Sequence, residues 1–319
     1  MKALIHYPPA PPEAWRQLRA AFPEDTFVVA ADEAALRREI VDAEVLISIG
    51  LVSGEVVRLA PGLRWIQVLS AGVEQLVRIP ELRDSNIVVT NARVLLAPHV
   101  AETGIALLTG LTRGVNVAVR RQLHHQWQAP AEGQMDELTD KRALILGAGG
   151  IGRALAKRFH GLEMSLRVVD VKHQARDALL GDIRPVEELH ALLGETDVLA
   201  VCCPLTEATR HLIGGTAFAA MPPGGYLVNV SRGGVVDTDA LVAALRSGHL
   251  RGAALDVVEP EPLPAGHPLW DMENVLLTPH AGGRSPRRTE RVVAFTLSNY
   301  QRYRRGEPLE HVVDKRAGF

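Results

Sequence analysis

Short apolar runs alternate with longer amphipathic stretches along most of the chain. In the first third, residues 3–6, 26–30, 45–49, 65–69 and 87–90 are compact aliphatic runs that read as buried strands. Residues 12–21, 33–41 and 55–59, between them, carry helical spacing. This alternation predicts βαβ units around a parallel sheet. A long helical stretch follows over about 98–126, opened by Pro98, which suits a first helical turn. The alternation resumes near Lys141, with strands expected at 142–146, 166–170, 198–202, 226–229, 252–256 and 275–277. Helices are expected there near 151–159, 185–193, 216–220 and 238–247, and a last, arginine-rich helix over 287–306. No repeat of roughly 20–50 residues is visible, which excludes a solenoid.

The length of 319 residues suits two domains. The pattern places one over 1–98 and a second over 99–285, with the segment 286–319 able to return to the first. Apolar residues at 47% and charged residues at 23% fit a folded globular chain rather than a disordered one. A net charge of −2 argues against nucleic acid or an anionic membrane as the main partner. No apolar run reaches the ~20 residues of a spanning helix. The N-terminus turns proline-rich before a signal-peptide core can form. Cys202 and Cys203 are the two cysteines; they exclude a disulfide framework and offer no metal-ligand spacing, so no metal is expected. The cytoplasm is the simplest compartment for such a chain.

Gly147, Gly149 and Gly152 stand in G-x-G-x-x-G order between an expected strand and an expected helix. The three glycines serve a tight turn, close approach to a pyrophosphate, and helix–strand packing, in that order. The N–H groups around Gly150 and Ile151 would then face phosphate at a helix N-terminus, with Arg153 adding charge. Asp170 ends the next strand, 18 residues after Gly152, where a carboxylate accepts ribose hydroxyls and repels a 2′-phosphate. NAD is therefore favoured over NADP, although Lys172, His173 and Arg176 soften that preference. A glycine-rich turn without a ligand is the plain alternative.

The loop, together with VNVSRGGVVDTDAL, GAALDVVEPEPLP and NVLLTPHAGG, resembles the D-isomer-specific 2-hydroxyacid dehydrogenases, the group of phosphoglycerate dehydrogenase and glyoxylate/hydroxypyruvate reductase. WIQVLSAGVEQL, VTNARVLLAPHVAETGIALL and CCPLTEATRHLI extend the resemblance over nearly the whole chain. The resemblance implies an α/β protein of two Rossmann-like or flavodoxin-like domains with parallel sheets. The nucleotide domain would be inserted in the substrate domain, with the active site in the cleft between them. It also implies a homodimer formed through the nucleotide domains.

The family's motif positions map onto Arg232, Glu261 and His280. The residue types suit reduction of a 2-oxo acid on chemical grounds as well. Histidine exchanges a proton near neutral pH, a carboxylate fixes its tautomer, and an arginine fork holds a substrate carboxylate. Taken singly, each has a plain alternative: a turn residue, a loop carboxylate and a core histidine. The resemblance also assigns Asp256 to the nicotinamide amide, with a strand-end cap as its alternative. It assigns Pro204 and Thr209 to the adenosine side, and the backbone of Ser70, Ala71, Gly72 and Val73 to the substrate carboxylate, where an ordinary strand-to-helix turn is the alternative. Cys202 and Cys203 read as small packing residues, since nothing nearby in sequence would activate a thiolate. His124, His125 and His267 read as exposed, and His99 ranks below His280.

Arg284, Arg287 and Arg288 cluster after the His280 motif, a charge run of the kind that usually marks a solvated face; the family places small or hydroxyl residues near Arg284, and Arg284 itself is read as adding positive potential for an acidic substrate. The expected reaction is hydride exchange between NAD(H) and a small D-2-hydroxy or 2-oxo acid such as glyoxylate or hydroxypyruvate. The segment 47–56 lacks the arginine of phosphoglycerate-specific relatives, which lowers 3-phosphoglycerate. Glu261 argues against formate, and phosphite remains a minor alternative. A reading from another class is an NAD-sensing, corepressor-like binding protein.

Overall fold

A computed structural model describes residues 1–7, 12–50 and 52–319. Residues 8–11 of the proline-rich stretch and Leu51 of the 47–56 segment lie outside the described residues. The chain forms two compact units, one of residues 1–96 and 285–319, the other of residues 97–284.

The first unit is built on Lys2–His6 (β1), Thr26–Val29 (β2), Val45–Ser48 (β3), Trp65–Val68 (β4) and Val88–Thr90 (β5). They form a parallel sheet in the order β2-β1-β3-β4-β5, the flavodoxin-like doubly wound arrangement. Every residue of β3 and β4 is buried, as expected of strands covered on both faces. Leu4, Leu46, Ile66 and Val68 pack on one face with Leu36, Ile40 and Val56. Ala3, Ile5, Val45, Ile47 and Trp65 pack on the other with Trp15, Leu18, Val292 and Tyr300. The last two belong to Arg288–Arg304, so the C-terminal helix completes this core.

A buried polar chain holds that helix in register. Trp65 Nε1 donates to Thr90 Oγ1 at 2.8 Å, and Thr90 Oγ1 donates to Gln67 Oε1 at 2.9 Å. Asn299 Nδ2 donates to the same Gln67 oxygen at 3.1 Å, while Asn299 Oδ1 accepts from the Glu310 N–H at 2.9 Å. The segment beyond the helix bridges Thr90 through Val312 in antiparallel fashion and covers the β5 edge.

The second unit contains Arg142–Leu146 (β6), Ser165–Val169 (β7), Gln174–Asp177 (β8), Gly181–Arg184 (β9), Val198–Val201 (β10), Gly225–Asn229 (β11), Leu250–Leu255 (β12) and Val275–Leu277 (β13). Their order is β13-β12-β11-β10-β6-β7-β9-β8, with every pairing parallel except β8 with β9. Successive strands run outward from β6 in opposite directions, which leaves a crevice at the adjacent carboxyl ends of β6 and β10.

Three expectations need correction. The single helix over 98–126 is two, Ala97–Thr112 and Val115–Leu123, because Gly114 takes φ +64 and interrupts the helix. Pro130 packs where its Cβ would be. The segment 185–193 opens as a 3-10 turn over Val186–Glu188 before the helix Leu189–Leu193. The sheet holds two more strands than the six expected, the hairpin β8–β9. That hairpin buries Ile183 and leaves most of its other side chains exposed, so it carries no apolar period to read.

The polar chain under the C-terminal helix gives a stability prediction. Asn299→Leu removes the acceptor of the half-buried Glu310 N–H and the buried bond to Gln67, and should lower unfolding free energy by about 1–3 kcal/mol. Chemical denaturation checks this; an unchanged midpoint would show that the chain does not hold the helix.

Candidate active site

The glycine-rich loop leaves β6 between two walls of backbone. Gly147 has φ +111, and a Cβ there would lie 2.8 Å from the Cys202 carbonyl carbon and the Cys203 nitrogen. A Cβ on Gly152 would lie 2.0 Å from the Gly147 carbonyl oxygen, so the third position of that helix admits only glycine. Nothing stands within 4 Å of the Cβ direction of Gly149. Gly149 precedes the helix Gly150–Gly161 and gives it no side-chain cap. The leading amides of that helix, around Gly150 and Ile151, are therefore left for an anion. Open space over Gly149, a bare helix start and a carboxylate at the next strand end fit the diphosphate and ribose of a nicotinamide dinucleotide.

That carboxylate, Asp170, is half-buried. Oδ2 accepts from the Ala148 N–H at 2.7 Å and Oδ1 from the Lys172 N–H at 2.8 Å. Both oxygens are thus oriented by backbone and keep lone pairs for hydroxyl donors. Arg153 does not reach for phosphate as its sequence position suggested. Its guanidinium forks onto Asp177 at 2.6 and 3.2 Å. That pair, with the Leu179 and Leu180 N–H groups, holds the Asp177 carboxyl far below the usual range. Lys172, His173 and Arg176 are exposed. The Thr209 hydroxyl closes its own loop, donating to the Pro204 carbonyl at 2.7 Å and accepting from the Thr206 N–H at 2.7 Å.

Arg232, Glu261 and His280 follow β11, β12 and β13, so all three leave the same carboxyl edge of one parallel sheet. His280 Nδ1 lies 2.7 Å from Glu261 Oε2, and Glu261 Oε1 accepts from the Val258 N–H at 3.1 Å. Arg232 is held to this segment through its neighbour: a Cβ on Gly233 would lie 1.8 Å from the Val258 carbonyl oxygen. The Arg232 carbonyl accepts from Asn229 Nδ2 at 3.1 Å, and its Nη1 donates to the Ser231 carbonyl at 2.6 Å.

Asp256 organises the turn that carries the histidine. Its carboxylate is buried and accepts from the Thr278 hydroxyl at 2.6 Å, the Ala281 N–H at 2.8 Å and the Gly282 N–H at 2.9 Å. The His280 N–H donates to the Asp256 carbonyl at 2.8 Å, and His280 sits at φ +50. A non-glycine residue in that region is uncommon, and the Asp256 bonds on both sides offset the strain. His99 Nε2 approaches the Gly283 carbonyl at 3.2 Å and closes the far end of the turn. Arg284, the next residue, is exposed, and its N–H donates to the Ala281 carbonyl at 2.8 Å.

Glu259 escaped sequence reasoning. It takes Arg210 at 2.9 Å and His211 at 2.6 Å, and its carbonyl accepts from Thr238 Oγ1 at 2.8 Å. The hydrogen bond from His211 is the largest influence holding its carboxyl below the usual range. Three separated segments meet there, and no spacing in the sequence announces it. His124 and His125 are exposed, whereas His267 is half-buried and its Nδ1 accepts from the Leu269 N–H at 3.3 Å.

In the other unit, the turn 70–73 directs its carbonyls into the protein. Ser70 O accepts from the Ala92 N–H at 2.9 Å, Ala71 O from Asn91 Nδ2 at 2.8 Å and Gly72 O from Ser70 Oγ at 3.1 Å. Among the described residues, no acceptor is found for the N–H groups of Ala71, Gly72 and Val73. The turn is a set of backbone donors suited to an anion.

Residues 105–282 match the family described as D-isomer specific 2-hydroxyacid dehydrogenase, NAD binding domain. The chain belongs to the D-isomer specific 2-hydroxyacid dehydrogenase family. It is an oxidoreductase of the class that moves a hydride between a nicotinamide cofactor and a small 2-hydroxy or 2-oxo acid. It is 37% identical to an (S)-sulfolactate dehydrogenase of Chromohalobacter salexigens over 79% of this chain and 81% of the relative. It is 33% identical to a glyoxylate reductase of Thermofilum pendens, over 88% of this chain and 84% of the relative. A solved family member from Xanthobacter autotrophicus, in complex with NADPH and MES, is 30% identical with a TM-score of 0.83 and covers 99% of both chains. No helix among the described residues is long and apolar enough to cross a membrane.

Burial gives a test of the cysteines, which flank the glycine loop. It pushes the Cys203 thiol up to about 12 and Cys202 higher still. A raised thiol pKa leaves the unreactive protonated form dominant at and below pH 8. Iodoacetamide at pH 8 should therefore label neither cysteine in the native protein and both after unfolding. Rapid native labelling would contradict the packing role.

Proposed function

We propose that this protein is an NAD-dependent reductase of short 2-oxo acids giving D-2-hydroxy acids, with Arg232, Glu261 and His280 as its catalytic residues. The 2.7 Å contact between Glu261 and His280 carries the reading. A carboxylate on Nδ1 requires that nitrogen to hold hydrogen, which leaves Nε2 to give a proton to the substrate carbonyl oxygen or take it back. Imidazolium formed in the oxidation direction is stabilised by the same carboxylate. Arg232 polarises the carbonyl and holds the substrate carboxylate through its planar fork. The turn Ser70, Ala71, Gly72 and Val73 of the first unit offers backbone donors for a substrate carboxylate.

A bound nicotinamide dinucleotide supplies or accepts the hydride at C2 of the substrate. Gly147, Gly149, Gly150, Ile151 and Gly152 would hold its diphosphate, Asp170 its adenosine ribose, and Pro204 and Thr209 the adenosine side. Asp256 would meet the nicotinamide amide only through whatever capacity its three protein donors leave. Asp170 favours NAD, because a carboxylate repels a 2′-phosphate. The NADPH held by the Xanthobacter relative makes the opposite preference the natural alternative. The glyoxylate reductase relative supports a short substrate, and the sulfolactate dehydrogenase relative one with a second anionic group.

A cytoplasmic homodimer fits the surface. Val115, Val119 and Leu123 recur at helical spacing on one exposed face, and Trp127 beyond them is fully exposed. Such a contiguous apolar patch favours a partner, and a second copy of this chain is the proposed one.

Turnover of a panel of 2-oxo acids with NADH and NADPH tests the reading. His280→Ala should cut kcat by roughly a hundredfold or more while leaving NADH affinity near wild type, as expected for lost acid–base catalysis. Full activity in this variant would remove His280 from the mechanism, and NADPH preference would overturn the assignment of Asp170. In light scattering, Leu123→Asp should shift the protein from dimer to monomer; an unchanged mass would exclude this face.

A further inference from the structure

One half-buried arginine, Arg288, stands beside the anion-binding turn of the first unit, and no carboxylate among the described residues pairs with it. Arg288 opens the C-terminal helix and reaches back to the sheet. Its Nη2 donates to the carbonyl of Leu69, the residue immediately before the turn, at 3.4 Å. Its Nε is buried without an acceptor. A guanidinium has five N–H donors, and this one uses a single, long hydrogen bond. The turn itself is fixed from the next strand end, where the Ala92 N–H donates to Ser70 O. Glu74, which follows the turn, has a partner of its own.

Partly withdrawing a cation from water without an opposite charge is unfavourable, so proteins pair such groups. Neither the Leu69 carbonyl nor the outward-facing amides of 71–73 supply a charge. Arg287, exposed one residue before Arg288, would add to the unfavourable positive field. An anion arriving from outside would balance Arg288 and Arg287. The turn amides already suit one carboxylate, as proposed above. A second cation beside them is surplus for a monoanionic 2-oxo acid and matched to a dianionic one.

We propose that Arg288 is a specificity-determining cation that selects 2-oxo and 2-hydroxy acids bearing a second acidic group, a carboxylate or a sulfonate, on the carbon chain. This rests on the proposed reductase function. It makes Arg288 the residue that separates diacid substrates from glyoxylate and hydroxypyruvate. The planar fork suits carboxylate and sulfonate oxygens alike, so the end group is left to the test.

The experiment compares wild type, Arg288→Gln and Arg288→Lys on oxaloacetate, 3-sulfopyruvate and hydroxypyruvate. The same three proteins are titrated calorimetrically with malonate, an unreactive diacid, in the presence of NADH. Wild type should prefer at least one diacid over hydroxypyruvate. Arg288→Gln should lose about tenfold or more in kcat/KM for it and about tenfold in malonate affinity, the size expected for a lost charged hydrogen bond. Hydroxypyruvate should change by less than about twofold, and Arg288→Lys should recover part of the loss. Whichever diacid responds more identifies carboxylate or sulfonate. Equal losses on hydroxypyruvate and the diacids would show a structural role and overturn the proposal, as would malonate binding that ignores the substitution. If no 2-oxo acid turns over, the reductase reading fails, and the malonate titration still decides whether Arg288 binds the second acid group.

Discussion

Glu261 and His280 meet at 2.7 Å although 19 positions separate them, and both are held by the segment that follows β12. The Val258 N–H fixes the carboxylate from one side. The buried Asp256 fixes the histidine's turn from the other, through the Thr278 hydroxyl and the Ala281 and Gly282 amides. Glycine at 233 allows the Arg232 segment to lie directly against the Val258 carbonyl. The carboxylate, the histidine and the arginine thus leave one strand-end edge with their backbones fixed by hydrogen bonds and close packing, the arrangement that the proposed proton exchange requires.

The platform follows from the sheet. Parallel strands bring all their carboxyl ends to one edge, so loops distant in sequence become neighbours. At the adjacent ends of β6 and β10, Gly147 and Gly152 let loop, strand and helix approach more closely than any side chain would permit. The first unit repeats the logic on a smaller sheet. Its turn 70–73 points carbonyls inward and amides outward, and a buried chain through Trp65, Thr90, Gln67 and Asn299 anchors the C-terminal helix to the same core. That helix brings Arg288 to the carbonyl beside the turn.

Much of this was legible in the order of residues. Strand positions in both units follow from aliphatic runs, because strands buried on both faces leave an unmistakable signal. The glycine loop is legible because each glycine answers a steric demand. The break at Gly114 was not, since glycine inside an apolar helical pattern is tolerated often enough to be passed over. The hairpin of Gln174–Asp177 and Gly181–Arg184 was missed because its residues are mostly polar and exposed. Glu259 and the turn-holding role of Asp256 rest on contacts between distant segments, and no local pattern encodes such contacts. Arg153 misled because proximity to the glycine loop in sequence says nothing about Asp177, 24 residues on, which captures it.

The most direct test of the Glu261–His280 pair is the tautomer of His280, read from imidazole nitrogen resonances in wild type and assigned by difference with His280→Gln. At a pH where the ring is neutral, hydrogen is predicted on Nδ1, facing Glu261, with Nε2 bare towards the substrate side. Hydrogen on Nε2 instead would mean that Glu261 does not set the ring, and proton exchange with substrate through Nε2 would be contradicted.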